Sequence, residues 1–135
     1  MSLCLADPVQ LYVKGWTRRG TWLVLKSIRP DLGGMTEVWE IGAPRGPRRV
    51  ASITGLLGMT VRLDRARDRL FGTCTTGGVS AICQVSLGDG AVKTVVANAV
   101  EGVTFAGYSM TPDGWLIYAR KDTNHDVWIF ELADR

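Results

Sequence analysis

The fold is decided by the segment YSMTPDGWLIY, residues 108–118, in which a tight turn separates two apolar runs. Pro112 presets its own φ angle and Asp113-Gly114 supplies the turn, so the two runs are predicted to pair as antiparallel strands. After a polar segment, another apolar run, DVWIFEL, follows at residues 126–132. This order predicts consecutive β-strands joined by short hairpins.

The same order of strands and turns occurs twice earlier in the chain. When the copies are aligned by their middle hairpin, Trp39, Cys83 and Trp128 are equivalent, at spacings of 44 and 45 residues. No long stretch has the 3.6-residue period of a helical repeat, and a repeat of this length made of short strands is typical of a β-propeller blade. The sequence therefore predicts a single all-β domain over residues 1–135 with three four-stranded antiparallel blades. Their approximate bounds are residues 10–53, 58–97 and 102–132.

The third copy, residues 108–118 together with 126–132, resembles the repeat of TolB-type propellers. That repeat has a small residue, Pro-Asp-Gly, an apolar strand, a polar hairpin and then Asp-Ile-Trp or Asp-Ile-Tyr. The first copy fits the template without its Pro-Asp, and the second fits it in spacing and apolarity only. The resemblance covers nearly the whole chain and implies a propeller fold. It implies no particular activity, because related blades occur in periplasmic translocation proteins, in prolyl-oligopeptidase-like peptidases and in sensor domains of bacterial regulators and kinases.

Three blades are too few to close a propeller, because closed propellers have about four to eight. The third copy also lacks an outermost strand, which residues 2–6 could supply as a closure strand. Open sheet faces and edges favour association, and two copies in a two-fold, head-to-tail arrangement would make a ring of six blades. We therefore expect self-association to an apparent dimer. The alternative expectation is a piece of a longer propeller.

Charge and length narrow the classes of partner. A net charge of +3 is small for 135 residues, so a nucleic-acid partner is not expected. No apolar run approaches the ~20 residues of a membrane span, and the N-terminus lacks the features of a signal peptide. We expect no membrane partner and favour the cytoplasm, or the periplasm if an export signal was lost.

The cysteines and the single histidine bear on redox and metal chemistry. Cys4, Cys74 and Cys83 are an odd number without a C-x-x-C motif, which predicts free thiols, with Cys83 buried in a strand and Cys74 more exposed. Residues 122–126, DTNHD, have the spacing of the first ligands in a calcium loop. The next position is Val127, where such a loop needs Gly, and position twelve is an alanine instead of Glu. His125 is then a polar turn residue, and no metal or cofactor is predicted.

Catalysis is not predicted either. Ser80 and Ser109 do not lie in a G-x-S-x-G elbow, and one histidine would have to serve any triad. Arginines cluster at residues 45–49 and 62–69. One interpretation is an anionic partner, and the other is ordinary solvated side chains, with Asp64 and Asp68 neutralising the second cluster.

A binding surface is predicted on the loops, because loops on a rigid scaffold usually carry function. Trp16 ends an innermost strand near the mouth of a propeller, where an aromatic ring would face a ligand. The other tryptophans, Trp22, Trp39, Trp115 and Trp128, are expected to pack between blades. The candidate contact positions are Trp16, Arg18, Arg19, Arg65, Arg67 and Asp113.

These patterns predict a non-catalytic propeller module that binds a protein or a ligand through the face built from blade-connecting loops. Three alternatives remain. The chain is part of the gating propeller of a prolyl-oligopeptidase-like serine peptidase, or the sensor propeller of a bacterial regulator, or a separate module that binds anions or lipids.

Overall fold

A computed structural model describes residues 9–28, 34–42, 46–56, 60–98, 102–122 and 128–133, which form eleven β-strands and no α-helix. The strands form three sheets. The first sheet contains β1 (Val9–Trp16), β2 (Trp22–Ile28), β3 (Met35–Ile41) and β4 (Arg48–Thr54). The second contains β5 (Arg62–Asp64), β6 (Arg69–Thr76), β7 (Val79–Ser86) and β8 (Val92–Ala97). The third contains β9 (Val103–Met110), β10 (Leu116–Asp122) and β11 (Trp128–Ala133).

Each sheet is antiparallel, and its strands lie side by side in chain order. The prediction of an all-β chain with one antiparallel sheet for each repeat is confirmed. The third sheet has three described strands, in agreement with the third repeat. The described sheets do not form a closed ring. The predicted closure strand at residues 2–6 lies outside the described residues.

The second sheet is apolar on both faces and packs against a neighbour on each. Successive side chains of a strand point to opposite faces, so Leu70 and Phe71 of β6 enter different cores. Leu70 belongs to a core shared with the first sheet, and Phe71 to a core shared with the third. The three sheets are therefore stacked face to face in chain order. The first core includes Leu23, Leu25, Val38, Ile53, Leu70, Cys74, Ala81, Cys83 and Val85. The buried members of the second are Phe71, Ile82, Leu116 and Tyr118.

Hydrogen bonds between sheets accompany this packing. Arg48 at the start of β4 donates to the carbonyl oxygen of Leu87, in the turn after β7, at 2.9 Å. Tyr108 of β9 donates its hydroxyl to the carbonyl oxygen of Phe71 at 3.1 Å. Burial of this hydroxyl raises the pKa of Tyr108 to about 12, because the phenolate would lose hydration. Each pair of adjacent sheets is thus joined by polar as well as apolar contacts.

Cys74 of β6 and Cys83 of β7 form a disulfide, so the prediction of free thiols is wrong at these two positions. The strand register places Cys74 opposite Ala81 and Cys83 opposite Gly72, which makes the cysteines diagonal neighbours. Their Cα atoms are 6.0 Å apart. Both residues are buried in the core shared with the first sheet, so the predicted exposure of Cys74 is also wrong.

The first sheet differs from the second because one of its faces, here called the far face, belongs to neither core. Trp22 lies on the far face and is 38% exposed. Within the described part of a single chain, the expectation that it packs between adjacent sheets is therefore wrong. Trp39 occupies a neighbouring row of the same face and is half-buried. Trp115 is half-buried beside the turn at residues 112–114, and the side chain of Trp128 lies outside the described part. The apolar residues of the far face include Leu11, Val13, Trp16, Trp22, Val24, Trp39 and Ile41.

Candidate functional site

The loop between the first and second strands has the same fold in the first and third sheets. In the β1–β2 loop, the amide of Thr17 donates to the carbonyl oxygen of Thr21 at 2.8 Å, and the amide of Gly20 donates to that of Thr17 at 3.1 Å. In the β9–β10 loop, Thr111 and Trp115 form the first of these bonds at 2.8 Å, and Gly114 forms the second at 3.0 Å. The turn predicted at Pro112-Asp113-Gly114 is confirmed.

The β5–β6 loop of the second sheet is one residue shorter and uses an aspartate where the others use glycine. The amide of Asp68 donates to the carbonyl oxygen of Arg65 at 3.2 Å, and Asp68 has a φ of 55°. Asp tolerates this left-handed region better than most residues because its short side chain can bond locally. Gly20 and Gly114 occupy the equivalent positions with φ of 77° and 97°. The substitution places a carboxylate at the tip of the middle loop.

Arg19 connects the first loop to the second. Its Nε donates to Oε1 of Glu40 at 3.0 Å, and its guanidinium also pairs with Asp68. Glu40 is buried and receives a second cation, Arg48, at 3.2 Å. The hydrogen bonds to Glu40 and Asp68 raise the pKa of Arg19 further above its ordinary value. The predicted ligand residue Arg19 is therefore held in contacts within the protein.

Arg67 connects the second loop to the third. It donates to the carbonyl oxygen of Pro112 at 2.9 Å and lies 3.4 Å from the carboxylate of Asp64. Arg69 pairs with the same carboxylate at 2.9 Å and reaches the carbonyl oxygen of Gly114 at 3.5 Å. A Cβ added to Gly114 would lie 2.7 Å from Nε of Arg67, so the third loop approaches this arginine closely. Through these contacts the three loops form one continuous surface, here called the loop surface.

The remaining predicted residues lie at the outside of the loop surface. Trp16 is 47% exposed, and its ring centroid is 3.9 Å from that of Trp22, with 33° between the planes. Arg18 and Arg65 are exposed, and within the described part of the chain neither forms an ion pair. Asp113 is exposed and accepts a hydrogen bond from the Thr111 hydroxyl. Trp16, Arg18 and Arg65 are thus the groups most available to a partner.

All six predicted positions lie in or beside the first hairpin of a sheet, and none lies in a connection between sheets. Sequence reasoning missed Glu40, Asp68 and Arg69 as parts of the same surface. In the sequence, Asp68 was recognised only as a neutralising neighbour of the second arginine cluster, Arg69 only as a member of that cluster, and Glu40 only as part of a strand. For Asp68 the available signal is its equivalence with Gly20 and Gly114. A carboxylate at a turn position that otherwise takes glycine indicates that the side chain makes a contact outside the turn.

Four described arginines of the two clusters pair with carboxylates. In the first, Arg48 and Arg49 each lie 3.2 Å from a glutamate, Glu40 and Glu37 respectively. In the second, Arg67 and Arg69 share Asp64, as described above. This pairing favours the interpretation of the clusters as structural over that of an extended anion-binding surface.

A cavity of about 230 Å³ lies away from the loop surface, between β6, β7 and β9. It is lined by hydroxyl side chains such as Thr60, Thr73 and Ser80, by Phe105 and by the buried Cys74. Its lining carries no charged group, and its volume is below the 300–1,000 Å³ typical of ligand pockets. The loop surface is the better candidate site.

Among residues 9–28, 34–42, 46–56, 60–98, 102–122 and 128–133, no group of three or more His, Cys, Asp and Glu side chains could hold a metal ion. A helix of the length and apolarity required to cross a membrane is absent from the same residues. His125 and most of the calcium-like segment 122–126 lie outside the described part.

Comparisons with protein-family models, with curated proteins and with solved structures find no match to this chain. A functional proposal therefore rests on the geometry of the loop surface and on the chemistry of its exposed groups.

Proposed function

We propose that this chain is a non-catalytic, propeller-type module that binds a protein partner through the loop surface. Its three sheets are consecutive blades, each an antiparallel sheet stacked on the next in chain order, as blades are in a propeller. The turn at residues 112–114 and the spacing of the three copies, with their resemblance to TolB-type repeats, support the same assignment.

The observation that carries the proposal is the connection of the three loops by arginines. Arg19 bonds to the second loop through Asp68, and Arg67 bonds to the third loop through the Pro112 carbonyl. Loops held in this way lose less conformational freedom when a partner binds, so more of the contact energy appears as affinity. An enzyme would need groups poised for proton transfer or attack, and the loop surface offers none in a recognisable arrangement.

The exposed groups indicate the chemistry of the partner. Trp16 offers an exposed apolar ring that contacts the ring of Trp22. Arg18 and Arg65 offer two exposed cations on adjacent loops. Trp and Arg are the residues most often responsible for affinity in protein–protein interfaces. We therefore propose that the partner is a protein segment that combines an apolar side chain with acidic residues.

A peptide library displayed on phage and selected on the purified full chain tests this proposal. Enriched peptides should contain acidic and aromatic or aliphatic residues, and calorimetry with a synthetic peptide should give a defined stoichiometry. Arg18→Ala and Arg65→Ala should each weaken binding by about tenfold, which is the size of a moderate interface contribution. Lys93→Ala is the matched control, because it removes an exposed cation from β8.

Equal weakening by Lys93→Ala and Arg18→Ala would show that the peptides respond to overall charge, and the loop surface would then not be the site. Selection that enriches no peptide above an empty support would also contradict the proposal. Salt adds a second readout, since contacts made by Arg18 and Arg65 should weaken as ionic strength rises.

A further inference from the structure

Exposed large hydrophobic residues are concentrated in the first sheet, mainly on its far face. Of the eight that are exposed in the described part of the chain, six lie in this sheet. Monomeric proteins seldom leave contiguous apolar patches of more than a few hundred Å² uncovered. The six residues are Leu11, Val13, Trp16, Trp22, Met35 and Ile41.

The register of the strands makes most of these residues one patch. Residues directly opposite each other in an antiparallel pair share a face, so Trp22 joins Trp16 on one side to Ile41 on the other. The next row on the same face is Val13, Val24 and Trp39. The row after that contains Leu11 and ends in an ion pair between Lys26 and Glu37 at 3.9 Å. The patch is thus apolar at the loop end and polar at its outer corner.

Equivalent positions show what such a face packs against elsewhere in the molecule. The second residue after the positive-φ residue of each loop is Trp22, Leu70 or Leu116. Leu70 packs toward the first sheet and Leu116 toward the second, so this position contacts the preceding sheet. Among the described residues no sheet precedes the first, and Trp22, at the same position, is 38% exposed.

The following position shows the complementary pattern. Leu23 packs toward the second sheet and Phe71 toward the third, so this position contacts the next sheet. In the third sheet its equivalent is Ile117, which is 37% exposed, and the described part of the chain contains no further sheet beyond it. The two uncovered faces are therefore the two halves of one kind of sheet contact, which the molecule already makes twice.

We infer that a second copy of this chain packs its third sheet on the far face of the first copy, and that the reciprocal contact closes a two-fold dimer. The occupant is a second copy because its third sheet exposes Ile117, at the position that in the first two sheets packs on the next sheet. The far face exposes the matching position, Trp22, which in the other two sheets packs on the preceding sheet. Two such contacts, related by a two-fold axis, cover both faces of each copy, so the assembly closes as a dimer and does not extend into a filament. The inference is independent of the loop-binding proposal, which depends on Arg18 and Arg65. Trp16 borders both surfaces, so neither test depends on it alone.

Sedimentation equilibrium of the full chain over a range of concentrations tests the inference. The expected species has twice the 14.7 kDa mass of one chain. Val13→Glu and Ile117→Glu should each convert it to a monomer, because each places a charge in one half of both contacts. Val92→Glu is the matched control, since Val92 is 49% exposed on β8 and belongs to neither half, and it should leave the dimer intact.

Mixing the two disrupted variants gives the sharpest readout. A dimer of Val13→Glu with Ile117→Glu contains one contact in which both halves are altered and one in which both are native. The mixture should therefore associate, with one native contact, whereas each variant alone stays monomeric. Circular dichroism checks that the variants fold, and Leu11→Glu, at a position 67% exposed, replaces Val13→Glu if that variant does not.

Three results would overturn the inference. A wild-type chain that is monomeric at every concentration would leave further repeats of a longer chain, or another protein, to cover the far face. A dimer that Val13→Glu breaks and Ile117→Glu does not would be a contact between two first sheets. Failure of the mixture to associate, with both variants folded, would exclude a contact built from the two faces.

Discussion

The first and second sheets come from the same repeat but have different surroundings. The second sheet lies between two neighbours, and Leu70 and Val85 on one of its faces are fully buried. The equivalent residues of the first sheet, Trp22 and Ile41, lie on the far face and are exposed. The sequence is apolar at all four positions. An apolar pattern therefore predicts that a face is suited to burial, whereas the stacking order decides whether a neighbour is present.

The largest effect is expected from truncating equivalent residues in the two sheets. Leu70→Ala should lower the free energy of unfolding by about 2–5 kcal/mol, because it leaves a cavity between the first and second sheets. Trp22→Ala should lower it by about 1 kcal/mol, mainly through the lost stacking with Trp16. Urea denaturation of dilute protein measures both values.

The same measurement at high protein concentration sharpens the comparison. If a second copy covers the far face, association stabilises the native state and Trp22→Ala becomes more costly as concentration rises. The loss caused by Leu70→Ala should change less, since its core exists in one chain. Equal losses for both variants in dilute protein would mean that the far face is covered within a single chain, contrary to the structure.

A smaller effect is expected from the disulfide, which distinguishes the second sheet from the first chemically. Cys83 stands where the first sheet has Trp39, and its bond to Cys74 closes the β6–β7 hairpin. Replacing both cysteines by alanine should lower the free energy of unfolding by about 2–3 kcal/mol, the value for a loop of this size. Reduction of the wild-type chain should produce a similar loss.

Counting thiols checks the bond itself. The chain contains three cysteines, so the unfolded, unreduced protein should react as if it had one free thiol, and the reduced protein as if it had three. Three reactive thiols before reduction would contradict the disulfide. The expected result also favours an oxidising compartment over the cytoplasm, because disulfides persist in the former.

The strands and their three antiparallel sheets could be predicted from the sequence because their signals are local. Pro112, Asp113 and Gly114 specify a turn by their own backbone preferences, and alternating apolar residues specify strands on either side. The disulfide could not be predicted in this way. Cys74 and Cys83 meet only because the β6–β7 register makes them diagonal neighbours, and a shift of one residue would place one of them on the opposite face.

The sequence indicated which residues lie in or beside loops, but not which contacts each of them makes. Arg18 and Arg65 are exposed in short loops, and Trp16 is exposed at the end of β1, the position predicted from the sequence. Arg19 and Arg67 are held in contacts with Glu40, 21 residues away, and with Pro112, 45 residues away. The pairing of β2 with β3 brings Glu40 to Arg19. The stacking of the second and third sheets brings Pro112 to Arg67, and no local pattern contains either contact.

The smallest effect, a difference of about 1 kcal/mol between two glycine variants, tests how the second sheet is joined to the third at the loop surface. Gly114→Ala should lower the free energy of unfolding by about 1–2 kcal/mol for the left-handed backbone, and by about 1 kcal/mol more because the new Cβ displaces Arg67 from the Pro112 carbonyl. Gly20→Ala is the matched control, since Gly20 has a positive φ and nothing within 4 Å of an added Cβ. It should show the backbone cost alone.

A double-mutant cycle isolates the contact from the backbone. In an Arg67→Ala background the displacement has no further consequence, so Gly114→Ala should cost about 1 kcal/mol less than in the wild-type chain. The same background should leave the cost of Gly20→Ala unchanged, because the first loop contacts the second through Arg19. Additive losses at Gly114 and Arg67 would show that the second and third loops move independently. The three loops would then be separate hairpins, and the connection that makes them one surface would be confined to the first two.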